Sequence, residues 1–186
     1  MSQPCTSQEA ILAAEILHRI GADISMVTDR EFRIESCEVL HSNERPACAG
    51  GVHISFRFGV RSGDWMGHGC LLMPLAEAVA IAGHLMMLSD GQVARKRELD
   101  VPDETMKESL LEVGNFIAGA ADVALRESLG GGRRVHPEGC QGVRPDVRPA
   151  LIYSEGESLV VVRASATLEG YGKYDLTLVL PEFGGV

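Results

Sequence analysis

Aromatic side chains are scarce in this chain: Phe, Trp and Tyr together make up 5% of its 186 residues. Hydrophobic residues still reach 45%, so a sizeable core can form, and it must be mostly aliphatic. Basic residues are outnumbered, 17 Lys and Arg against 26 Asp and Glu, which leaves a net charge of −9. Nonspecific binding to nucleic acid or to an anionic membrane needs a basic surface, so neither partner is expected. Long apolar runs are missing too. The longest, Cys70 to Leu88, is interrupted by Pro74, Glu77 and His84, whereas a membrane-spanning helix wants about 20 mostly apolar residues. The opening residues Met1 to Thr6 show no basic stretch followed by an apolar run, so no secretory leader is expected. Cysteines number five, an odd count without close pairing, which reads as free thiols in a reducing compartment. The expectation is a soluble, cytoplasmic protein.

The length suits one domain, taken as residues 1–186. Ser7 to Ile20 has helical spacing, with Thr6 or Ser7 as cap and Gly21 as its end. Phe32 to Leu40 is rich in β-formers, and Asn43 to Gly51 reads as a loop. Val52 to Val60 alternates apolar and polar residues, turns at Ser62-Gly63-Asp64 and returns as Trp65 to Met73, a hairpin. Pro74 opens a helix to about Leu88. Ser89 to Asp103, containing Arg95-Lys96-Arg97, reads as a solvated loop. Asp103 or Thr105 caps a long helix that ends at Gly130-Gly131-Gly132. Val135 to Pro149 is either a long loop or an irregular strand, and Ser158 to Leu168 with Lys173 to Leu180 form a closing hairpin around Glu169-Gly170.

A weak internal repeat relates two halves, about 6–90 and 103–183. Each runs helix, then strands, and each has an apolar strand ending at proline: Gly69-Cys-Leu-Leu-Met-Pro74 and Asp175-Leu-Thr-Leu-Val-Leu-Pro181. The repeat predicts an α+β fold in which both halves share one antiparallel sheet, with the long helices packed on one face. An unrelated α+β arrangement would give the same local pattern.

The second long helix is the chemically informative segment. At about 100° per residue, one arc collects Glu108, Glu112, Asn115, Gly119, Asp122 and Arg126. The opposite arc collects Leu110, Leu111, Val113, Ile117, Ala121, Ala124, Leu125 and Leu129. The apolar arc faces the sheet, and the polar stripe faces solvent or a partner. Most such stripes are solvated surface. This one holds Asn115, a poor helix former, mid-helix. Gly119, one turn later, costs about 1 kcal/mol relative to Ala and leaves a flat spot where another backbone can approach. Phe116 and Val123 rim the stripe, either as apolar docking surface or as the edge of the core.

Glu112-Val-Gly-Asn115-Phe-Ile-Ala-Gly119 resembles the Glu-x-x-Asn-x-x-x-Gly helix of the CheC/CheX/FliY family of chemotaxis phosphatases. The repeated helix-and-strand pattern resembles that family more loosely over most of the chain. The resemblance implies hydrolysis of the phospho-aspartate of a CheY-like receiver domain. Asn115 would orient the attacking water, and Glu112 would engage a receiver lysine. Glu108, Phe116, Gly119 and Asp122 would border the docked partner. The receiver would supply Mg²⁺, so no cofactor or metal is expected on this chain.

Two departures stand out. The family often has Asp or Ser four residues before the motif glutamate; here Glu108 holds that position and Ser109 follows it. Some members carry two active helices, but Glu15-Ile-Leu-His18 places histidine where Asn would stand, on a stripe holding Ile11 and Ala22. The first helix therefore reads as scaffold, as in the single-site CheX pattern, and the likeness to CheX implies a homodimer. A receiver-binding module without catalysis is the alternative these departures motivate.

Three other signals carry less. His68-Gly-Cys70 puts two metal-ligand types on one strand face, without the tight pairs that zinc sites use. Cys140 as a nucleophile would have only His136 as a nearby base in sequence. Gly130-Gly131-Gly132-Arg133-Arg134 follows a helix, whereas phosphate loops precede one, so it reads as a helix stop.

Overall fold

A computed structural model of the chain describes residues 3–4, 7–130, 132–154 and 156–182. Thr6 and Gly131, which figured in the expectations above, lie outside the described residues, as does Cys5, one of the five cysteines. The elements are β1 (Gln3–Pro4), α1 (Ser7–Thr28), β2 (Phe32–Ser42), β3 (His53–Ser62), β4 (Trp65–Pro74), α2 (Leu75–Leu85), α3 (Asp90–Arg97), α4 (Glu104–Leu129), β5 (Arg133–Val143), β6 (Leu159–Leu168) and β7 (Tyr174–Pro181). The strands form one antiparallel sheet in the order β1-β2-β6-β7-β4-β3-β5. The helices pack against it, giving the expected α+β fold.

The sheet order displays the repeat. Exchanging the halves maps β2, β3 and β4 onto β5, β6 and β7, and the order β2-β6-β7-β4-β3-β5 then reads the same from either edge. The outer strand of each half pairs with the other half: β2 with β6, and β5 with β3. β4 and β7 meet at the centre through Cys70–Val179, Leu71–Leu178 and Leu72–Thr177. The sequence offset that carries Pro74 to Pro181 also carries Leu71 to Leu178, so this pair sits on the approximate two-fold axis.

Alternation along the strands sorts two apolar layers. Phe56, Phe58, Val60, Leu71, Met73, Val160, Val162, Leu176 and Leu178 join the helices in the main core. Cys48, Cys70, Leu72, Val143, Leu159, Val161 and Val179 form a smaller cluster on the other face, with Leu151 and Tyr153 packed against it. β6 is apolar without alternation from Leu159 to Val162 because both its faces are covered there.

The structure corrects three expectations. α1 does not stop at Gly21 but runs through it to Thr28. Gly21 is buried, and a Cβ there would lie 3.0 Å from Phe32 Cδ1, so this glycine admits a strand side chain. The reversal comes at Asp29, with φ +52°. The Phe32 N–H donates to Ser25 Oγ at 2.8 Å, tying β2 back to the helix.

The helix opened by Pro74 ends at Leu85, earlier than Leu88. The stretch after Ser89 is not a solvated loop either, because it contains α3. Ser89's backbone N–H and hydroxyl both donate to Gln92 Oε1, at 3.0 and 2.9 Å, the reach-back half of a capping box. Val93 is fully buried against Gly83 of α2. Arg97 donates to Glu77 Oε1 at 2.7 Å, and its guanidinium lies 4.5 Å from the Tyr171 ring centre. Of the two readings of the glycine-rich segment from Val135, the irregular strand holds through Val143: it is β5, with a register shift opposite Phe56 and Phe58.

Gly69 sets a packing test. A Cβ there would fall 2.6 Å from Phe58 Cε2 and 2.6 Å from the Val179 carbonyl oxygen, which belongs to the central β7 backbone. Gly69→Ala is expected to lower stability by about 2 kcal/mol, the usual scale for overpacking. Chemical denaturation checks this; an unchanged midpoint would mean the strands separate without cost.

Candidate functional site

α4 starts where Asp103 caps it: the Met106 N–H donates to Asp103 Oδ1 at 2.9 Å. The Lys96 ammonium bonds the same carboxylate, and that bond, followed by the Met106 N–H, holds its pKa below the ordinary aspartate value. Of the two expected caps, Asp103 is the one used. Met106, Leu110, Val113, Ile117, Ala121 and Leu125 are buried at successive turns. The Ser109 hydroxyl, also buried, donates to the Ala82 carbonyl at 2.9 Å and joins α4 to α2. Gly130, with φ +78°, ends the helix in a backbone conformation that glycine tolerates.

The polar arc emerges on the opposite side. Glu108, Glu112, Asn115 and Gly119 are exposed, and Phe116 and Asp122 are half-buried. Asn115 Nδ2 donates to Glu112 Oε2 at 3.2 Å, so the two motif side chains meet. Besides the Nδ2 donor that meets Glu112, the Asn115 amide carries a carbonyl oxygen that can accept. A Cβ on Gly119 would meet nothing within 4 Å. No part of the described chain covers the flat spot beside Asn115.

Two members of the wheel behave differently from expectation. Leu111, assigned to the buried arc, is 46% exposed and lies against Gly139 of β5, so it extends the apolar rim of the stripe. Asp122 is turned to the sheet: Oδ1 accepts the Val135 N–H at 2.8 Å, and Oδ2 pairs with Arg126 at 2.9 Å. It fastens β5 to the helix carrying the motif. Ser109, one position from the family's Asp or Ser, is occupied inside the fold, which leaves Glu108 as the stripe's surface residue there.

The first helix has a stripe at the same spacing. Ile11, Glu15, His18 and Ala22 are exposed and line an open groove with Ala124, Glu127 and Ser128 of α4. Ser128 Oγ donates to Glu15 Oε2, a bond between α1 and α4. Glu15 thus has a structural partner, whereas Glu112 has Asn115.

The minor signals resolve without forming a second centre. His68 Nδ1 meets the Glu138 carboxylate at 2.9 Å, and His136 Nε2 approaches it at 3.5 Å. Cys70 is fully buried, and burial pushes its thiol up to about 12. Burial raises the Cys140 thiol as well, so both stay protonated and poorly nucleophilic. Among the described residues, Cys37, Cys48, Cys70 and Cys140 are free.

Asp122→Ala is expected to cost about 1 kcal/mol, because it removes the acceptor of a backbone N–H and a partner of Arg126. Hydrogen exchange at Val135 should accelerate while the core of α4 stays protected. Unchanged exchange there would remove Asp122 from its clamping role.

No protein-family model matches this chain, and no curated protein matches it. Solved structures do. FliY from Thermotoga maritima superposes with a TM-score of 0.70 at 17% identity, over 97% of this chain and 93% of that one. The FliM middle domain from H. pylori gives 0.62 at 11% identity, over 94% and 90%. CheX from Desulfovibrio desulfuricans gives 0.57 at 15%, over 91% and 98%. Among the described residues, no helix is long and apolar enough to cross a membrane. The chain has the fold shared by FliY, CheX and CheC-like chemotaxis proteins.

Proposed function

We propose that this protein is a phosphatase acting on the phospho-aspartate of a CheY-like receiver domain. The observation that carries the reading is the joint exposure of Glu112 and Asn115, 3.2 Å apart on α4, beside the uncovered Gly119. An acyl phosphate is already activated. Its hydrolysis needs a water held in line with the leaving oxygen more than it needs a strong base. An amide suits that task because it donates and accepts and has no charge to lose near neutral pH. Glutamine plays the same water-orienting part in GTPases.

In this reading Asn115 releases Glu112 when the receiver docks. The Glu112 carboxylate then takes a receiver lysine by a charge-assisted hydrogen bond. The Asn115 amide is left to hold water at the phosphorus. Glu108, Leu111 and Phe116 border the contact, and Gly119 lets the partner's backbone come close. Mg²⁺ comes with the receiver, so the step asks for no metal from this chain. The work would be done in the cytoplasm, where receivers are phosphorylated.

A second reading has support of its own. The same fold occurs in FliM bound to FliG and in FliM bound to SpeE, both from H. pylori, where it takes part in protein–protein complexes. The present chain would then dock a receiver without hydrolysing its phosphate. The readings separate in one assay: saturable receiver binding with no change in dephosphorylation rate selects the second.

Asn115→Ala should reduce the acceleration of receiver dephosphorylation on the order of 100-fold, the scale seen when a single positioned amide is lost from a reacting centre. The fold should survive, since Asn115 is exposed. Decay of a labelled phosphoreceiver with and without the variant measures this. Wild-type activity in the variant would overturn the mechanism.

Gly119→Ala tests the docking spot separately. Its Cβ meets nothing, so the helix should gain about 1 kcal/mol in stability. The receiver concentration for half-maximal rate should nonetheless rise several-fold. A stabilised variant with unchanged receiver dependence would remove Gly119 from the interface.

A further inference from the structure

Three residues remote in sequence converge at the end of the molecule where β1 joins the sheet. Glu9 lies in the first turn of α1, His41 near the end of β2, and Glu182 just after β7. One ligand atom from each lies within 4.8 Å of the other two. Glu9 and His41 are half-buried, with side chains 20% and 19% exposed, and Glu182 is exposed.

Three features make this more than a surface ion pair. The donors are one imidazole and two carboxylates, a mixed N/O set of the type that first-row divalent cations take. His41 Nε2 faces Glu9 Oε2 at 3.0 Å, while the ring's other nitrogen, Nδ1, sits 3.2 Å from Ser158 Oγ. Metal-binding histidines fix their ring orientation by donating the far N–H to an outer acceptor, and the Ser158 hydroxyl oxygen is placed to be that acceptor. The spacing also fits: ligands about 2.1 Å from a tetrahedral zinc lie roughly 3.4 Å apart, so little movement is required.

We infer that Glu9, His41 and Glu182 form a divalent-cation site, zinc being the best match, with water completing the coordination. Imidazole Nε2 donates its lone pair to the ion, and the carboxylates offset the ion's charge. The bound ion ties the first turn of α1, the end of β2 and the segment after β7 together. The site lies apart from the α4 stripe and shares no residue with it, so the role is structural. None of the three is near another in sequence, and no short spacing motif announces them.

The test uses the full chain stripped with a chelator and titrated with ZnCl₂. One equivalent should bind, with a rise of several degrees in thermal midpoint, as expected for a ligand that binds the native state alone. Cobalt should bind with the visible absorption of a low-coordinate site. Glu182→Gln, at an exposed position, should weaken binding at least about 10-fold. Ser158→Ala should weaken it roughly 10-fold through the ring's lost support. His41→Gln should abolish the equivalent. The double variant His68→Gln, His136→Gln, which removes the imidazoles around Glu138, should keep it. The proposal fails if the wild type shows no saturable zinc binding. It fails equally if Glu182→Gln and His41→Gln bind as the wild type does, or if the double variant alone loses the ion.

Discussion

The structure depends on the strand exchange about the β4–β7 junction. Only three residue pairs join those two strands directly, yet they lie at the centre of the sheet. The halves are locked less by that short ladder than by what flanks it. β2 crosses to pair with β6 along nearly its whole length, and β5 crosses to pair with β3. Neither half can complete its own share of the sheet, so neither can bury its helices alone. The apolar cost of separating them is distributed over the whole main core, which draws on both halves and on all four helices. Folding of this chain is therefore expected to be governed by contacts distant in sequence, with the helices forming locally and the sheet closing late.

That exchange also places the candidate site. α4 lies against β3 and β5, packs beside α1 and α2, and is bonded to α2 by Ser109 and to β5 by Asp122. With its apolar arc fixed on three sides, the remaining arc has to face outward. The Glu112–Asn115 pair is exposed because the helix's other sides are used. The separation of roles along the stripe follows from the same geometry. Glu108, Glu112 and Asn115 are exposed, and Asp122, which accepts the Val135 N–H of β5, is drawn into the fold.

The parts of this architecture that could be read in the sequence are those whose signal is local. The amphipathic arc of α4 needs only helical periodicity, the β3–β4 and β6–β7 hairpins only apolar, β-forming runs on either side of a turn. The motif residues follow once the arc is drawn. What could not be read depends on tertiary contact. Gly21 looks like a helix stop until Phe32 occupies the space its missing Cβ leaves. α3 is short and polar, and its single buried Val93 gives no periodicity; Ser89 and Gln92 were the available cue. β5 could not be told from a loop because an edge strand can hold Pro137 and a shift in register that a central strand would not. Leu111 sits in the apolar arc of an ideal wheel yet is exposed, because the sheet beneath that side of the helix ends at β5 and Gly139 offers no side chain to bury it.

The two stripes differ in ways that explain why the proposed activity is assigned to one helix and not both. Fold alone does not decide it, since the FliY, CheX and FliM structures superpose on the same scaffold at identities too low to transmit residue roles. Chemistry at the equivalent positions does discriminate. Glu15 spends its carboxylate on Ser128, a bond inside the molecule. Glu112 spends its carboxylate on Asn115, a bond between two exposed groups that a partner can exchange for its own. Ile11 stands where Glu108 stands in the second stripe, and an isoleucine 60% exposed offers a partner apolar surface without charge. The first stripe thus provides a carboxylate already bound and a hydrophobic flank, suited to packing. The second provides a carboxylate on a replaceable partner, an exposed amide and a bare glycine surface. Of the two faces that the repeat supplies, the second is therefore the one on which the proposed phosphatase reading rests.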